Sequence, residues 1–340
     1  MSADTKIQWT WVPGYRGATW NPTRGCSIVS PGCHNCYAMK QAHRFDRPSG
    51  AYEGLTKMTA QGAQWSGKVA LVEDALTIPL KKRIPTAYFV DSMSDLFHER
   101  VPFEFIDRVF AVMALCPHHL FMVLTKRPER MREYLRAHAA GGRHIWEAAQ
   151  SIKMPRGEDK PETSWPLRNI WLGVSVEDQR RANERIPVLL DTPAAVRFIS
   201  AEPLLSAIDL HGWIGCAVCG MPEPCKRPDH GDPQRGLDQV IVGGESGPRA
   251  RPFDIGWARV LRDQCAAAGV AYFLKQLGRR PIGIDNSPEG CDACEMGLGA
   301  PRRAHGLGCL GRPLNDSHGG VEGEWPEDLR GCRAFPAVPR

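Results

Sequence analysis

The chain has 340 residues, 42% of them hydrophobic, which is enough for one large domain or two ordinary ones around a substantial core and excludes a disordered or fibrous protein. Its net charge of +5, from 43 basic against 38 acidic residues, leans towards an anionic partner such as nucleic acid without the excess of a dedicated polybasic protein. No run approaches the roughly 18 uninterrupted apolar residues of a membrane helix, and the opening MSADTKIQWTWVPGYRG lacks a signal peptide's apolar stretch, so a cytoplasmic protein with no membrane partner is expected.

Near the N-terminus Trp9, Trp11 and Trp20 interleave with Lys6, Arg16 and Arg24. Such a mixture either stacks on bases and meets phosphates or closes one end of a barrel. Cys26, Cys33 and Cys36 follow with CX6CX2C spacing, three of the chain's 12 cysteines. In a reducing compartment clustered cysteines bind metal or do chemistry more often than they form disulfides. The turn formers Ser30, Pro31 and Gly32 bring the later thiols back towards the first. A structural zinc normally has four protein ligands, whereas a cluster held by three cysteines leaves one iron open to a substrate or cofactor. His34 can complete a zinc site only with awkward geometry between two ligands. Cluster, zinc and unligated thiols all remain open on spacing alone.

Six runs rich in β-branched and aromatic residues come next: Ala87 to Met93, Leu120 to Lys126, Ile170 to Val176, Val196 to Ser200, Val240 to Ser246 and Ala271 to Lys275. Runs of this kind read as strands buried on both faces. Amphipathic stretches with helical spacing lie between them, at Phe103 to Ala114, Pro128 to His138, Asp178 to Leu190 and Ile255 to Ala268. The alternation predicts an α/β fold, a partial (β/α)6-type TIM-like barrel, with an open doubly wound sheet as the alternative. No GxGxxG follows an early strand, which counts against a dinucleotide-binding version. The barrel is expected over residues 1–278, with insertions at 138–165 and 212–236. Residues 279–340 read as a Gly/Pro/Cys-rich appendage packing on it.

In parallel β/α folds ligands sit at the carboxyl ends of the strands, so the polar strand tips are the candidate site. Asp91, Ser94 and Asp95 in DSMSD, with His98 nearby, suit acid/base chemistry or binding of a polar substrate, unless Ser94 or Asp95 only caps the next helix. Lys126, Arg127 and Arg130 can clamp a phosphate or carboxylate, or form a solvated basic turn. Lys275 ends a late strand and can pair with Glu202 or Glu245 across the same mouth. Two further groups, Cys216, Cys219, Cys225 and His230, then Cys291, Cys294, His305 and Cys309, each offer the four ligands of a closed zinc site. The alternatives there are an auxiliary iron–sulfur cluster or surface thiols. Cys116 and Cys265 fall on apolar helical faces and read as core.

A three-cysteine loop ahead of β/α units resembles the radical S-adenosylmethionine (SAM) enzymes. Those enzymes typically have CX3CX2C with an aromatic residue before the last cysteine; here the first gap is longer, Asn35 precedes Cys36 and Tyr37 follows it. Over the whole chain the segments TWNPTRGCSIVSPGCHNCYA, VDSMSDLFHE, LTKRPERM, WLGVSVEDQ, RFISAEPLL, VIVGGESGPRARP, FLKQLG and WPEDLR resemble a family of bacterial and phage proteins of unassigned function, nicknamed for a three-Cys motif and described as radical-SAM-like. That resemblance implies Cys26, Cys33 and Cys36 as ligands of a [4Fe–4S] cluster whose open iron SAM chelates. It implies Gly243, Gly244 and Glu245 beside the cofactor's adenine, although those glycines equally suit a tight strand-to-helix turn. It also implies Ser175 or Glu177 near the ribose. The resulting expectation is an enzyme that cleaves SAM reductively to a 5′-deoxyadenosyl radical and acts on a nucleic acid base or nucleotide. The competing expectations are a zinc-dependent nucleic-acid-binding or phage-associated protein without radical chemistry, and a subunit acting with a protein partner encoded nearby.

Overall fold

A computed structural model describes residues 5–138, 142–152, 164–215, 236–283, 316 and 318–338. Seven parallel strands form one sheet: β1 (Arg16–Trp20), β2 (Thr86–Val90), β3 (Leu120–Thr125), β4 (Ile170–Ser175), β5 (Val196–Ala201), β6 (Gln239–Gly243) and β7 (Ala271–Gln276). Each strand pairs with its neighbour in sequence, from β1 through β7 in order. A doubly wound sheet reverses its strand order at a switch point, and this one does not. The sheet curls into a half-barrel with an inner and an outer apolar face.

Alternation along the strands decides which side chain goes where. Ala87, Leu120, Met122, Trp171, Val196, Phe198, Ile241 and Phe273 point inward and meet Trp9. The Trp9 ring lies 4.6 Å from Phe89 and 6.0 Å from Phe198, so it plugs the amino-terminal end of the barrel. Trp20 is buried on the outer side, where its Nε1 donates to the Ala75 carbonyl at 2.8 Å. Of the three tryptophans read as possible base-stacking groups, only Trp11 is exposed. Gly173 faces inward without a side chain because the Phe198 ring occupies that space, 2.5 Å from where a Cβ would stand.

The outer face packs against helices. Helix α1 (Tyr37–His43), which follows the cysteine loop, instead packs in a small core of its own; α2 (Phe103–Ala114) follows β2, and α3 (Pro128–Glu133) follows β3 and runs on into a π-helical turn, Tyr134–His138. Next come α4 (Arg143–Ser151), α5 (Gln179–Leu190) and α6 (Ile255–Ala268). Asp178 caps α5 by accepting from the Arg181 amide at 2.8 Å, and Asp254 caps α6 through the Gly256 amide at 2.8 Å. The insertion expected to be loop-bearing contains α4, whose Ile145 is buried and whose Ala148 and Ala149, with Ile152 just beyond it, pack on the outer core. Those four residues keep helical spacing in a stretch otherwise too polar to advertise it.

The C-terminal segment returns to the sheet. The Leu274 amide donates to the Cys332 carbonyl at 2.7 Å and the Ala334 amide to Tyr272 at 2.9 Å, covering the free edge of β7. Cys116 and Cys265 are buried in the outer core. The cysteine groups at 216–230 and 291–309 lie outside the described residues. No helix among the described residues is long and apolar enough to cross a membrane.

Candidate functional site

At the carboxyl end the inward positions change character. Above the floor of aromatic and aliphatic side chains stand Ser175, Ser200, Gly243 and Lys275, with Glu202 just beyond the tip of β5. Lys275 Nζ lies 3.1 Å from Glu202 Oε1, so this cation pairs with Glu202 and not with Glu245. The contact is off a hydrogen-bonding line, and Oε1 has no hydrogen-bond donor among the described residues. Gly243 makes room for it, since a Cβ there would stand 2.5 Å from Oε1. The result is a polar bowl with one carboxylate oxygen still able to accept.

The loop carrying Cys26, Cys33 and Cys36 leaves β1 and lies across this mouth, fastened to successive strand tips. The first fastening is at β2, where buried Asp91 accepts from the Thr23 amide at 3.0 Å and the Thr23 hydroxyl at 2.9 Å. Thr23 also meets Ser94 at 2.7 Å. Asp91 adopts a left-handed φ of 56°, which Asp tolerates better than most residues. Burial pushes its carboxyl up to about 7 despite the Thr23 and Ser94 donors.

A second fastening centres on Asp95, which accepts from the Thr125 hydroxyl at 2.7 Å, the Lys126 amide at 3.2 Å and Arg127 Nη1 at 2.9 Å. Arg127 reaches on to Glu99 at 2.9 Å, to the Ser27 hydroxyl at 2.7 Å and to Cys26 Sγ at 3.8 Å. His98 Nδ1 accepts from the Arg100 amide at 3.1 Å, so its Nε2 carries the proton and donates to Ser27 at 3.0 Å. His98 is therefore no base for Ser27, and the pair positions the loop. Arg130 is likewise committed, donating to the Val101 carbonyl at 2.6 Å. Lys126 is half-buried, and its ammonium makes no hydrogen bond or ion pair among the described residues, acting on Cys36 and Glu177 only through its field.

Third, Glu177 past the tip of β4 accepts from the Gly32 amide at 3.2 Å and from Arg185 Nη1 at 3.0 Å, with both side chains almost fully buried. Burial alone would raise this carboxyl, but Arg185, Lys126 and the loop donors outweigh it and hold it below the usual range. Fourth, Glu245 past β6 accepts from Asn35 at 3.0 Å and is gripped by Arg251 at 2.7 Å, which also leaves it below the usual range against the effect of burial. Glu177 and Glu245, both expected beside the cofactor, have their oxygens taken by the loop and its supporting arginines. Of the residues that take them, Asn35 and Arg251 lie inside segments that resemble the family, and Arg185 lies in none. Only the placement of Arg185 two helical turns beyond Glu177 on α5 could have pointed to it.

The three thiols are free and part-buried. Burial, with Asp95 beside it, pushes the Cys26 thiol up to about 12, and burial raises Cys36 as well. Both are raised further by the neighbouring thiols, Cys26 by Cys33 and Cys36, and Cys36 by Cys33. Among the described residues no three His, Cys, Asp or Glu side chains converge on one point as a single metal ion requires. A mononuclear zinc needs each sulfur about 2.3 Å from one centre. The donor set is three thiols on one loop, whereas a closed zinc site needs four protein ligands and a cluster held by three cysteines leaves one iron open.

The family described as "Protein of unknown function (DUF5131)" matches residues 4–302. The chain belongs to this family. No curated protein and no solved structure matches it. The DUF5131 match takes in the cysteine loop, all seven strands and every fastening described above. It ends inside the third cysteine group, including Cys291 and Cys294 and stopping short of His305 and Cys309.

Proposed function

We propose that the protein is an iron–sulfur enzyme of the radical-SAM type, with Cys26, Cys33 and Cys36 holding a [4Fe–4S] cluster over the mouth of the half-barrel. The observation that carries the reading is the placement of three free thiols on a loop that leaves β1 and is fastened at four strand tips around a polar bowl. When bound, such a cluster supplies the electron that cleaves SAM and frees a 5′-deoxyadenosyl radical.

The chain's own residues have separate tasks in this reading. Asp91, Asp95, Glu177 and Glu245 fix the loop, so that the thiols meet the bowl in one arrangement. Glu202 Oε1 accepts from an ammonium or hydroxyl of the bound cofactor, and Lys275 holds that carboxylate in place as its ion-pair partner. Ser175 and Ser200 offer hydroxyls to its polar edge. The apolar floor beneath, sealed by Trp9, excludes water from the inner end of the site. The substrate proposed is a nucleic acid base or nucleotide.

The test is anaerobic purification of the full chain followed by iron, sulfide and zinc analysis and a visible spectrum. A brown protein whose iron and sulfide are lost in Cys26→Ser, Cys33→Ser and Cys36→Ser variants is expected, together with 5′-deoxyadenosine formation from SAM under reduction. Colourless protein with stoichiometric zinc bound at these three cysteines overturns the reading in favour of a zinc-dependent protein without radical chemistry.

A further inference from the structure

The net charge of the chain is concentrated beside the mouth. Residues 24–68 hold six basic side chains, Arg24, Lys40, Arg44, Arg47, Lys57 and Lys68, against two acidic ones, Asp46 and Glu53. Six minus two gives +4 of the chain's +5. Both acids are used locally: Asp46 accepts from the Gly54 amide at 2.7 Å and the Thr56 amide at 3.0 Å, and Glu53 from the Ser49 amide at 2.8 Å. None of the six cations has an ion-pair partner among the described residues. A fold that only needed solubility would intersperse the signs.

These residues form one lobe. Helix α1 and the hairpin of Thr56–Thr59 with Gly62–Trp65 share a small core of Ala38, Met39, Ala42, Leu55 and Trp65. The opposite face of α1 presents Tyr37, Lys40, Gln41 and Arg44 at positions i, i+3, i+4 and i+7, a stripe about 10 Å long at 1.5 Å per residue. The stripe begins at the residue after Cys36 and runs outward. Tyr37 and Phe45, the residue after Arg44, are each 48% exposed, Tyr37 with its hydroxyl donating to the Ser92 carbonyl at 2.6 Å. Lys40 Nζ lies over Gly247, and the exposed Arg249 lies over Gly62 at the hairpin turn, so the lobe and the β6 loop continue each other.

We infer that this lobe is a binding surface for single-stranded nucleic acid. Unpaired cations accept phosphates, and exposed rings beside them accept bases by stacking without demanding a sequence. A single strand fits better than a duplex because only an unpaired base can turn from the stripe into the bowl at its head. That delivery step rests on the bowl being the reaction site proposed above; the binding surface does not.

The experiment is fluorescence anisotropy of the full-length protein with labelled single strands of about 16 nucleotides, the upper site size for such surfaces, and with the matching duplex. Titrations are run across about 50 to 200 mM salt. Single strands bind more tightly than the duplex, and a variant carrying Lys40→Gln, Arg44→Gln, Arg47→Gln and Lys57→Gln binds at least tenfold more weakly. Its slope of log affinity against log salt is shallower by roughly 0.7 for each phosphate that the protein no longer neutralises. Phe45→Ala weakens binding about fivefold or more with the slope unchanged. Arg143→Gln with Arg180→Gln, on helices outside the lobe, changes neither quantity. Thermal melting establishes that each variant is folded. Wild-type affinity and slope in the fourfold variant, tighter duplex binding, or equal binding to poly-glutamate each overturn the proposal. Iron and sulfide measured in the same preparations report on the cluster separately, so a colourless wild type that binds single strands removes the enzyme reading and leaves this one standing.

Discussion

Glu177 and Arg185 form the pair on which the middle of the cysteine loop hangs, and replacing Glu177 by Gln isolates what the charge contributes. The amide keeps the size and one acceptor oxygen for the Gly32 amide, but it turns NH2 towards Arg185 Nη1, which lay 3.0 Å from the carboxylate. Arg185 has a side-chain exposure of 6%, so its guanidinium is left charged and without its counter-ion away from water. Removing one partner of a buried pair costs about 3–5 kcal/mol. At roughly 2 °C per kcal/mol for a chain of this size, the melting temperature falls by about 6–10 °C. Adding Arg185→Met removes the stranded charge. The double variant should recover to within about 2 kcal/mol of wild type, the remainder reflecting the donor lost to the Ser175 carbonyl. The assay is thermal unfolding by circular dichroism for wild type, both single variants and the double. A Glu177→Gln protein melting within about 1 °C of wild type, or a double variant no more stable than the single, would refute the claim that a desolvated charge pair holds the loop.

Asp91→Asn tests the buried carboxyl at the first fastening. Its folded value of about 7 lies above the ordinary carboxylate range near 3.9, so the fold favours the protonated form; that stability is complete at low pH and is lost as pH rises through about 7. Asn keeps the left-handed backbone and does not titrate, so its melting temperature relative to wild type should climb between about pH 4 and pH 7 and level off above that; a pH-independent difference refutes the assignment. Gly173→Ala places a Cβ 2.5 Å from the Phe198 ring in a packed interior and should cost about 1–3 kcal/mol in urea unfolding, with Phe198→Leu in the same chain restoring part of it.

The strands were the legible part of the fold because each is buried on both faces and therefore reads as a nearly unbroken apolar run. The amphipathic helices Phe103–Ala114 and Ile255–Ala268 begin and end where their periodicity does. β1 is the converse case. Its sequence is Arg-Gly-Ala-Thr-Trp, and Gly17 must be small because Thr10 and Trp11 stand 2.6 Å from where its Cβ would be. It is a strand by virtue of its pairing with β2, which no local propensity announces. The same holds for α1, whose seven residues follow directly on Cys36 and are held by the lobe's small core.

At the site, residue types were legible and partnerships were not. Carboxylates at strand tips stand out in sequence, but Glu177 meets Gly32 across 145 positions and Glu245 meets Asn35 across 210. Only the curl of the sheet brings those tips to one rim. This matters for how the loop is held. Cys26 to Cys36 contains two glycine or proline residues between its outer thiols and exposes Ile28 and Val29, so the loop has little apolar surface of its own with which to fix itself. Directional bonds to buried carboxylates supply the rigidity that packing supplies elsewhere. Because those carboxylates sit at the ends of β2, β4 and β6, the geometry of the thiols is coupled to the curvature of the whole sheet, and a change at a strand tip reaches the cysteines without touching them.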